Sequence, residues 1–179
     1  DQITVPRFST DMPEFTEAEK GVQDNMDKLM SINGTKSVDS IHKKLGNIMW
    51  EYVGMGRTKE GLEAGLKKIQ ELRKEFWSDL RIPGSKEGLN VELDKAIHLR
   101  DFLVMGELIA YDALNRNESC GGHFREESQT EEGEAKRDDE NYMYVACWKY
   151  NGNDETAPEL LKEPLDYKYI KVQTRNYKS

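Results

Sequence analysis

An imidazole, a thiol, two guanidinium groups and three carboxylates fall within Arg116-Asn117-Glu118-Ser119-Cys120-Gly121-Gly122-His123-Phe124-Arg125-Glu126-Glu127. His123 titrates near neutrality, which suits it to acid–base work or metal binding. The same ring serves equally well as a fixed hydrogen-bonding post among carboxylates and backbone, and residue type alone leaves both readings open. Cys120-x-x-His123 with the distant Cys147 is one loose pair, whereas a closed zinc site needs four ligands in tight pairs. A metal is therefore not expected. His123 and Arg125 would lower the pKa of Cys120 and ready a nucleophile, but a small residue beside two glycines is the plainer account. His42 and His98 fall inside helical patterns and read as surface or core-edge residues.

Few other segments offer chemistry. Gly54-Met55-Gly56-Arg57-Thr58 sits at a helix start, where backbone N–H groups can receive an anion. No phosphate-loop lysine follows it and no strand precedes it, so it reads as a turn between helices. The chain has no Gly-x-Gly-x-x-Gly, hence no usual dinucleotide fingerprint. A net charge of -8 argues against nucleic acid and against an anionic membrane surface. No apolar stretch approaches the roughly 20 residues of a membrane span. Asp1-Gln2-Ile3-Thr4-Val5-Pro6 shows neither a signal pattern nor an initiator Met, which fits a processed or excised chain. Two cysteines make no secreted disulfide framework, so a reduced cytosolic setting is expected.

The elements that must hold these residues are mostly helical. Residues 1–12, with Pro6, read as an extended lead-in. Phe15, Ala18, Val22, Met26 and Leu29 recur at helical steps, and Gly34 is expected to end that helix in a left-handed cap. Ser37 or Asp39 can cap the next, striped by Val38, Ile41, Leu45, Ile48 and Tyr52. Thr58 can cap a third, traced by Leu62, Leu66, Ile69, Arg73, Phe76 and Leu80, with Pro83-Gly84-Ser85 as its breaker. A fourth runs from about Asn90 to Asn115. Leu93, Ile97, Val104, Leu108 and Tyr111 form its stripe, widened by Ala96, Leu99, Leu103 and Ala110. These patterns predict a mainly α protein: an antiparallel bundle of three to four helices over 13–117. Residues 118–179 follow as an acidic loop and a two-stranded β extension, packed on the bundle or on a neighbouring domain. Its strands are expected at Tyr142–Tyr150 and Leu165–Val172, with Asn151-Gly152-Asn153-Asp154 turning the chain and Pro158 and Pro164 in the connection.

Three landmarks resemble the flavoprotein subunit of succinate dehydrogenase and fumarate reductase. The first is Met49, Gly54, Arg57, Glu60 and Leu62. The second is Asn117-Glu118-Ser119-x-Gly121-x-His123-x-Arg125-Glu126. The third is Arg137-Asp138-Asp139-Glu140-Asn141 before an aromatic strand. Cys120 departs from the pattern, standing where many relatives carry arginine. The spacer Gln129–Ala135 is similar to that of the subgroup with a diheme cytochrome b anchor.

The resemblance covers most of the chain and implies a C-terminal helical domain that supplies scaffold and interface, not chemistry. The parent would interconvert succinate and fumarate on FAD. Its flavin-binding and capping domains would lie upstream, so this chain would hold neither catalytic residues nor cofactor. Partners would be those upstream domains, an iron–sulfur subunit and indirectly a cytochrome b anchor. The setting would be the cytoplasmic face of the inner membrane. Arg57, Glu118, Ser119, Gly121, His123, Arg125, Asp138 and Asp139 are then expected at a docking face, where His123 would matter more to docking than to this domain's own stability. The rival reading is an independent helical module that binds partners without enzymatic activity.

Overall fold

The computed structural model describes residues 8–153 and 157–173. The chain forms two compact units: Asp1–Lys44 with Glu71–Phe102, and Leu45–Gln70 with Leu103–Ser179. Three helices, α2 (Val38–Tyr52), α3 (Lys59–Asp79) and α4 (Val91–Asn115), each lend a part to both units. Residues 1–7 of the expected lead-in, Pro6 among them, lie outside the described residues. Residues 9–12 turn rather than extend, closed by the Met12 N–H on Ser9 O at 3.1 Å.

In the first unit, Pro13 opens α1 (Pro13–Ser31) at the position where proline's missing N–H costs nothing. Only Leu29 of its expected stripe is buried; Phe15 and Val22 stand in the open. β1 (Lys36–Ser37) pairs in parallel with β3 (Leu80–Arg81), in the register Lys36↔Leu80 and Ser37↔Arg81. The Thr35 N–H and hydroxyl both donate to the Asp79 carboxylate, at 2.7 and 2.9–3.0 Å. Lys44 bonds Glu75 at 2.6 Å, so α2 and α3 run antiparallel here. Lys95 on Asp39, and the His42 and Phe102 rings with centroids 5.6 Å apart, set α4 parallel to α2. Val38, Ile41, Leu72, Phe76, Leu80, Leu93, Ala96 and Leu99 fill this core. Of the two candidate caps for α2, Ser37 accepts the Ser40 N–H and Asp39 lies inside the first turn. Asn90 accepts the Leu93 N–H and caps α4.

Gly34 does not adopt the left-handed cap expected of it. Among the described residues the positive-φ glycines are Gly84, Gly121, Gly133 and Gly152. Gly34 is required by proximity instead: a Cβ there would lie 2.0 Å from the Asp79 carbonyl carbon. Gly84, at φ +89°, is the turn that the Pro83 breaker announced.

In the second unit, the backbones of α2 and α3 close up where a Cβ on Gly65 would lie 2.8 Å from Tyr52 Cβ. α4 approaches α2 at Gly106, beside Met49. Leu45, Val53, Leu62, Ile69, Leu103, Ala110 and Ala113 are buried. The buried residues of α4 are Leu93, Ala96 and Leu99 in the first unit and Leu103, Gly106, Ala110 and Ala113 in the second. The stripe expected through Ile97, Val104, Leu108 and Tyr111 is only partly covered, and Val104 is exposed. Both faces of this helix are apolar, so the pattern cannot rank them. The small residues mark the true seam, because only they let a neighbouring backbone approach.

The ribbon differs in its second strand. β5 (Tyr144–Lys149) pairs antiparallel with β6 (Glu159–Pro164), from Tyr144↔Pro164 to Lys149↔Glu159. The expected strand Leu165–Val172 is not one, and Pro164 belongs to the strand rather than the connection. Register is set by the reversal after Tyr150, where Gly152 has φ +89°. Asp154, expected in that turn, lies outside the described residues. Proline is tolerated at the end of an edge strand, where no partner needs its missing N–H. Trp148 on β5 donates its indole N–H to Asp112 at 2.7 Å and meets Tyr111 edge-on, fixing the ribbon to the end of α4.

Candidate functional site

The residues singled out in the sequence meet at the C-terminal end of α4, inside the second unit. An α-helix leaves its last carbonyls unpaired. Arg125, buried on β4 (Phe124–Arg125), turns its Nη1 onto two of them, Ala113 at 3.0 Å and Leu114 at 3.3 Å, and onto the carbonyl of the following Arg116 at 3.4 Å. A cation there also opposes the negative end of the helix dipole. The Arg125 Nε donates to Glu127 at 3.2 Å.

Glu127 works at the opposite pole of a second helix. Its Oε1 accepts the Lys59 N–H at the start of α3, at 2.5 Å, beside Thr58, whose hydroxyl accepts the Gly61 N–H. Thr58 is therefore the cap expected of it. Burial alone would raise the Glu127 pKa. The Lys59 N–H, its own amide and Arg125 outweigh that and hold it below the ordinary carboxylate value.

Ser119 is fully buried and ties the strand to the turn. Its hydroxyl donates to Arg125 O at 3.1 Å and accepts the Arg125 N–H at 2.8 Å. Cys120 and His123 close a two-residue hairpin through reciprocal backbone bonds of 2.8 and 3.0 Å. Gly121, at φ +59°, occupies the first central position, where a type II′ turn demands a left-handed residue. Glu118, also buried, accepts Arg116 Nη1 at 2.7 Å on one oxygen and the Asp138 N–H at 2.8 Å on the other. Arg116 continues to Tyr142 O and Tyr144 O and lies over both rings.

His123 sits between two strong partners. Arg57 Nη1 is 2.7 Å from Nδ1, and Arg116 O is 2.8 Å from Nε2. A guanidinium only donates and a carbonyl only accepts. The ring is therefore the neutral Nε2–H tautomer. Burial lowers its pKa most; the bond to Arg116 O opposes that, and Arg57, Arg125 and Arg116 reinforce it. Arg57 on β2 (Gly56–Arg57) is held by its own turn through Nε to Val53 O and Gly54 O. β2 pairs in parallel with β4, Arg57 opposite Arg125, and the Glu126 N–H reaches Arg57 O at 2.8 Å.

Asp138 caps the short helix α5 (Asp139–Tyr142) by accepting the Asn141 N–H, and Asp139 pairs with Arg137 on the surface. The acidic segment beyond Glu127 folds back on itself. Thr130 bonds Glu134, the Lys136 N–H reaches Ser128 O, and Lys136 O receives the Ser119 N–H. Both thiols are free and exposed, and no cluster able to hold a metal occurs among the described residues. A cleft of about 720 Å³ beside the cluster is lined by Arg116, Cys120, Arg137, Tyr142, Tyr144 and Tyr167 among others. Its arginines are already paired, with Glu118 and Asp139.

Arg57, Glu118, Ser119, Gly121, His123 and Arg125 are thus one connected network, with Asp138 attached through Glu118. Asp139 stands apart. Arg116 and Glu127, not among the residues expected at the docking face, complete the network. Arg116 carried a signal, a cation just past a helix C-terminus. Glu127 carried none, because it caps a helix that starts 68 residues earlier. Both ring nitrogens of His123 are engaged by the unit's own groups.

The family described as fumarate reductase flavoprotein C-term matches residues 42–177, which takes in the whole network. The fumarate reductase flavoprotein subunit of Proteus vulgaris is 31% identical over 153 residues, covering 86% of this chain and 24% of that protein. The succinate dehydrogenase flavoprotein subunit of Rickettsia bellii is 28% identical over 162 residues, covering 90% and 25%. A solved quinol–fumarate reductase with menaquinol molecules shares the fold, with a TM-score of 0.76 at 24% identity over 94% of this chain and 28% of that one. The chain spans about a quarter of the length of the curated relatives it matches. No described helix is long and apolar enough to cross a membrane. The chain belongs to the family of C-terminal domains of fumarate reductase and succinate dehydrogenase flavoprotein subunits.

Proposed function

We propose that this chain serves as the scaffold and docking domain of a flavoprotein that interconverts succinate and fumarate. In that reading FAD and the dicarboxylate are held by flavin-binding and capping domains of the same polypeptide. Electrons pass through an iron–sulfur subunit to or from quinone. The anchor would be a diheme cytochrome b, a reading supported by the likeness of the spacer Gln129–Ala135 to that subgroup's, and the assembly would lie on the cytoplasmic face of the inner membrane. This domain does not set the direction of the reaction, which follows from the redox partners.

The observation that carries the reading is how the landmark residues are used. Arg57, Arg116, Glu118, His123 and Arg125 direct their polar atoms onto one another and onto backbone at two helix ends. Such a network fixes the shape of a surface; it does not present a base or nucleophile to a substrate. Arg57, Glu118, Ser119, Gly121, His123, Arg125, Asp138 and Asp139 therefore serve docking by shaping the face that meets the rest of the flavoprotein. The comparisons lend no support to an independent interaction module.

The test is the native protein. We expect this sequence to be recovered within a flavin-bearing polypeptide several times its 20.7 kDa, active in succinate oxidation or fumarate reduction. The 179-residue chain alone should elute colourless after incubation with FAD. A native 20.7 kDa protein without flavin overturns the proposal, as does a yellow isolated chain.

A further inference from the structure

We propose that His123 is an acid-labile latch: its neutral ring locks the α2–α3 turn to the end of α4, and protonation at Nδ1 unlocks it. Nδ1 has one lone pair, and Arg57 Nη1 uses it at 2.7 Å. Nε2–H is committed to Arg116 O at 2.8 Å. A proton on Nδ1 sets N–H against N–H and places a second cation beside a guanidinium. Arg57 must then leave, and with it goes the side-chain bridge from that ring to the turn.

The surrounding charges make the lock one-sided. From the turn, Arg57 faces the ring; from the end of α4, Arg116; from β4, Arg125. All three are cations that disfavour a charged imidazole. The nearby carboxylates bond groups other than the ring: Glu118 holds Arg116, Glu127 holds Arg125 and the Lys59 N–H, and Asp112 holds the Trp148 indole. Cys120, across the same hairpin, is exposed and bonds His123 through backbone alone.

Release has a defined path. Arg57 is also a strand residue, and its carbonyl accepts the Glu126 N–H at 2.8 Å. Freeing its guanidinium loosens the β2–β4 pairing that joins the turn to the hairpin. The folded-state pKa lies below the unfolded one, so the unfolded chain binds the proton first. The latch is fully closed above the ordinary imidazole value of about 6.5 and opens as pH falls through the folded value.

Long-range 1H–15N spectra of the protein's three histidine rings test this directly. His123 is expected as the Nε2–H tautomer at neutral pH, with a titration midpoint below 6.5. The Glu126 amide shift should move with the same midpoint. His123→Gln, whose side chain offers a donor and an acceptor but takes no proton, should abolish that step. An Nδ1–H or charged ring at pH 7, or a midpoint at or above 6.5, overturns the proposal. So does a Glu126 amide that ignores the transition or keeps its step in His123→Gln. Should that variant fail to fold, the titration of the unaltered protein still decides.

Discussion

Arg125 ends α4 from outside the local sequence, which itself offers only Asn115, whose Nδ2 donates to Tyr111 O. No glycine follows Asn115, and the last carbonyls would lie open in a buried place were it not for one guanidinium delivered from ten residues further on. Hydrogen bonds to a charged donor contribute about 1.5–3 kcal/mol, and a buried acceptor left unpaired costs about 1–3 kcal/mol. Arg125→Met keeps the volume and removes the donors, so it should destabilise the protein by about 2–4 kcal/mol in urea denaturation. Asp139→Asn breaks only a surface pair with Arg137 and should cost under about 1 kcal/mol. If the two variants unfold at the same urea concentration, the helix-capping role assigned to Arg125 is wrong. Capping also shows how far single residues can be read in advance. Thr58, Asn90 and Ser37 act on the helix they precede, and short range made them legible. Glu127 caps α3 from 68 residues along the chain, and His123 owes its tautomer to Arg57, 66 residues away. Nothing local encodes either pairing.

At the scale of elements, the four long helices were legible because each carries a 3.6-residue period and a cap or breaker. The short parallel pairs β1–β3 and β2–β4 were not, because two residues make no period. The ribbon misled for a related reason. Glu159-Leu160-Leu161-Lys162-Glu163 is rich in helix formers, yet its place opposite β5 makes it a strand. The more β-like Tyr167–Val172 stays outside the pairing. Such propensities are weak wherever tertiary partners decide. α4 poses the sharper case, being apolar on both faces. Leu103 is fully buried, whereas Ile109 lies in the open. Leu103→Ala should cost about 2–5 kcal/mol, the transfer of the lost atoms plus the cavity they leave. Ile109→Ala should cost under about 0.5 kcal/mol in the same assay. Equal losses would mean that α4 buries both faces, and the seam drawn through Ala96, Gly106 and Ala110 would fall.

For the whole molecule the question is what the network's rigidity is for. It clamps the turn after α2, and on either side of Arg57's backbone anchors stand two large apolar side chains in the open, Trp50 at 87% and Met55 at 89% exposure. Single exposed apolar residues are ordinary. Two of them around one clamped turn form a prepared contact, since binding there orders little that is not already ordered. On the proposed reading the contact is with the flavin-bearing part of the same polypeptide. Met55→Asp then has opposite consequences in two contexts. In the 179-residue chain Met55 contributes little burial, so the melting temperature should stay within the range of a change under about 0.5 kcal/mol. In the full flavoprotein a carboxylate would be forced into an apolar contact, and flavin retention and succinate–fumarate activity should fall at least several-fold. A parallel His123→Gln variant keeps the turn clamped and should spare both. Activity unchanged by Met55→Asp would remove this turn from the docking face. Unfolding of the isolated chain by the same change would show instead that Met55 supports the domain itself.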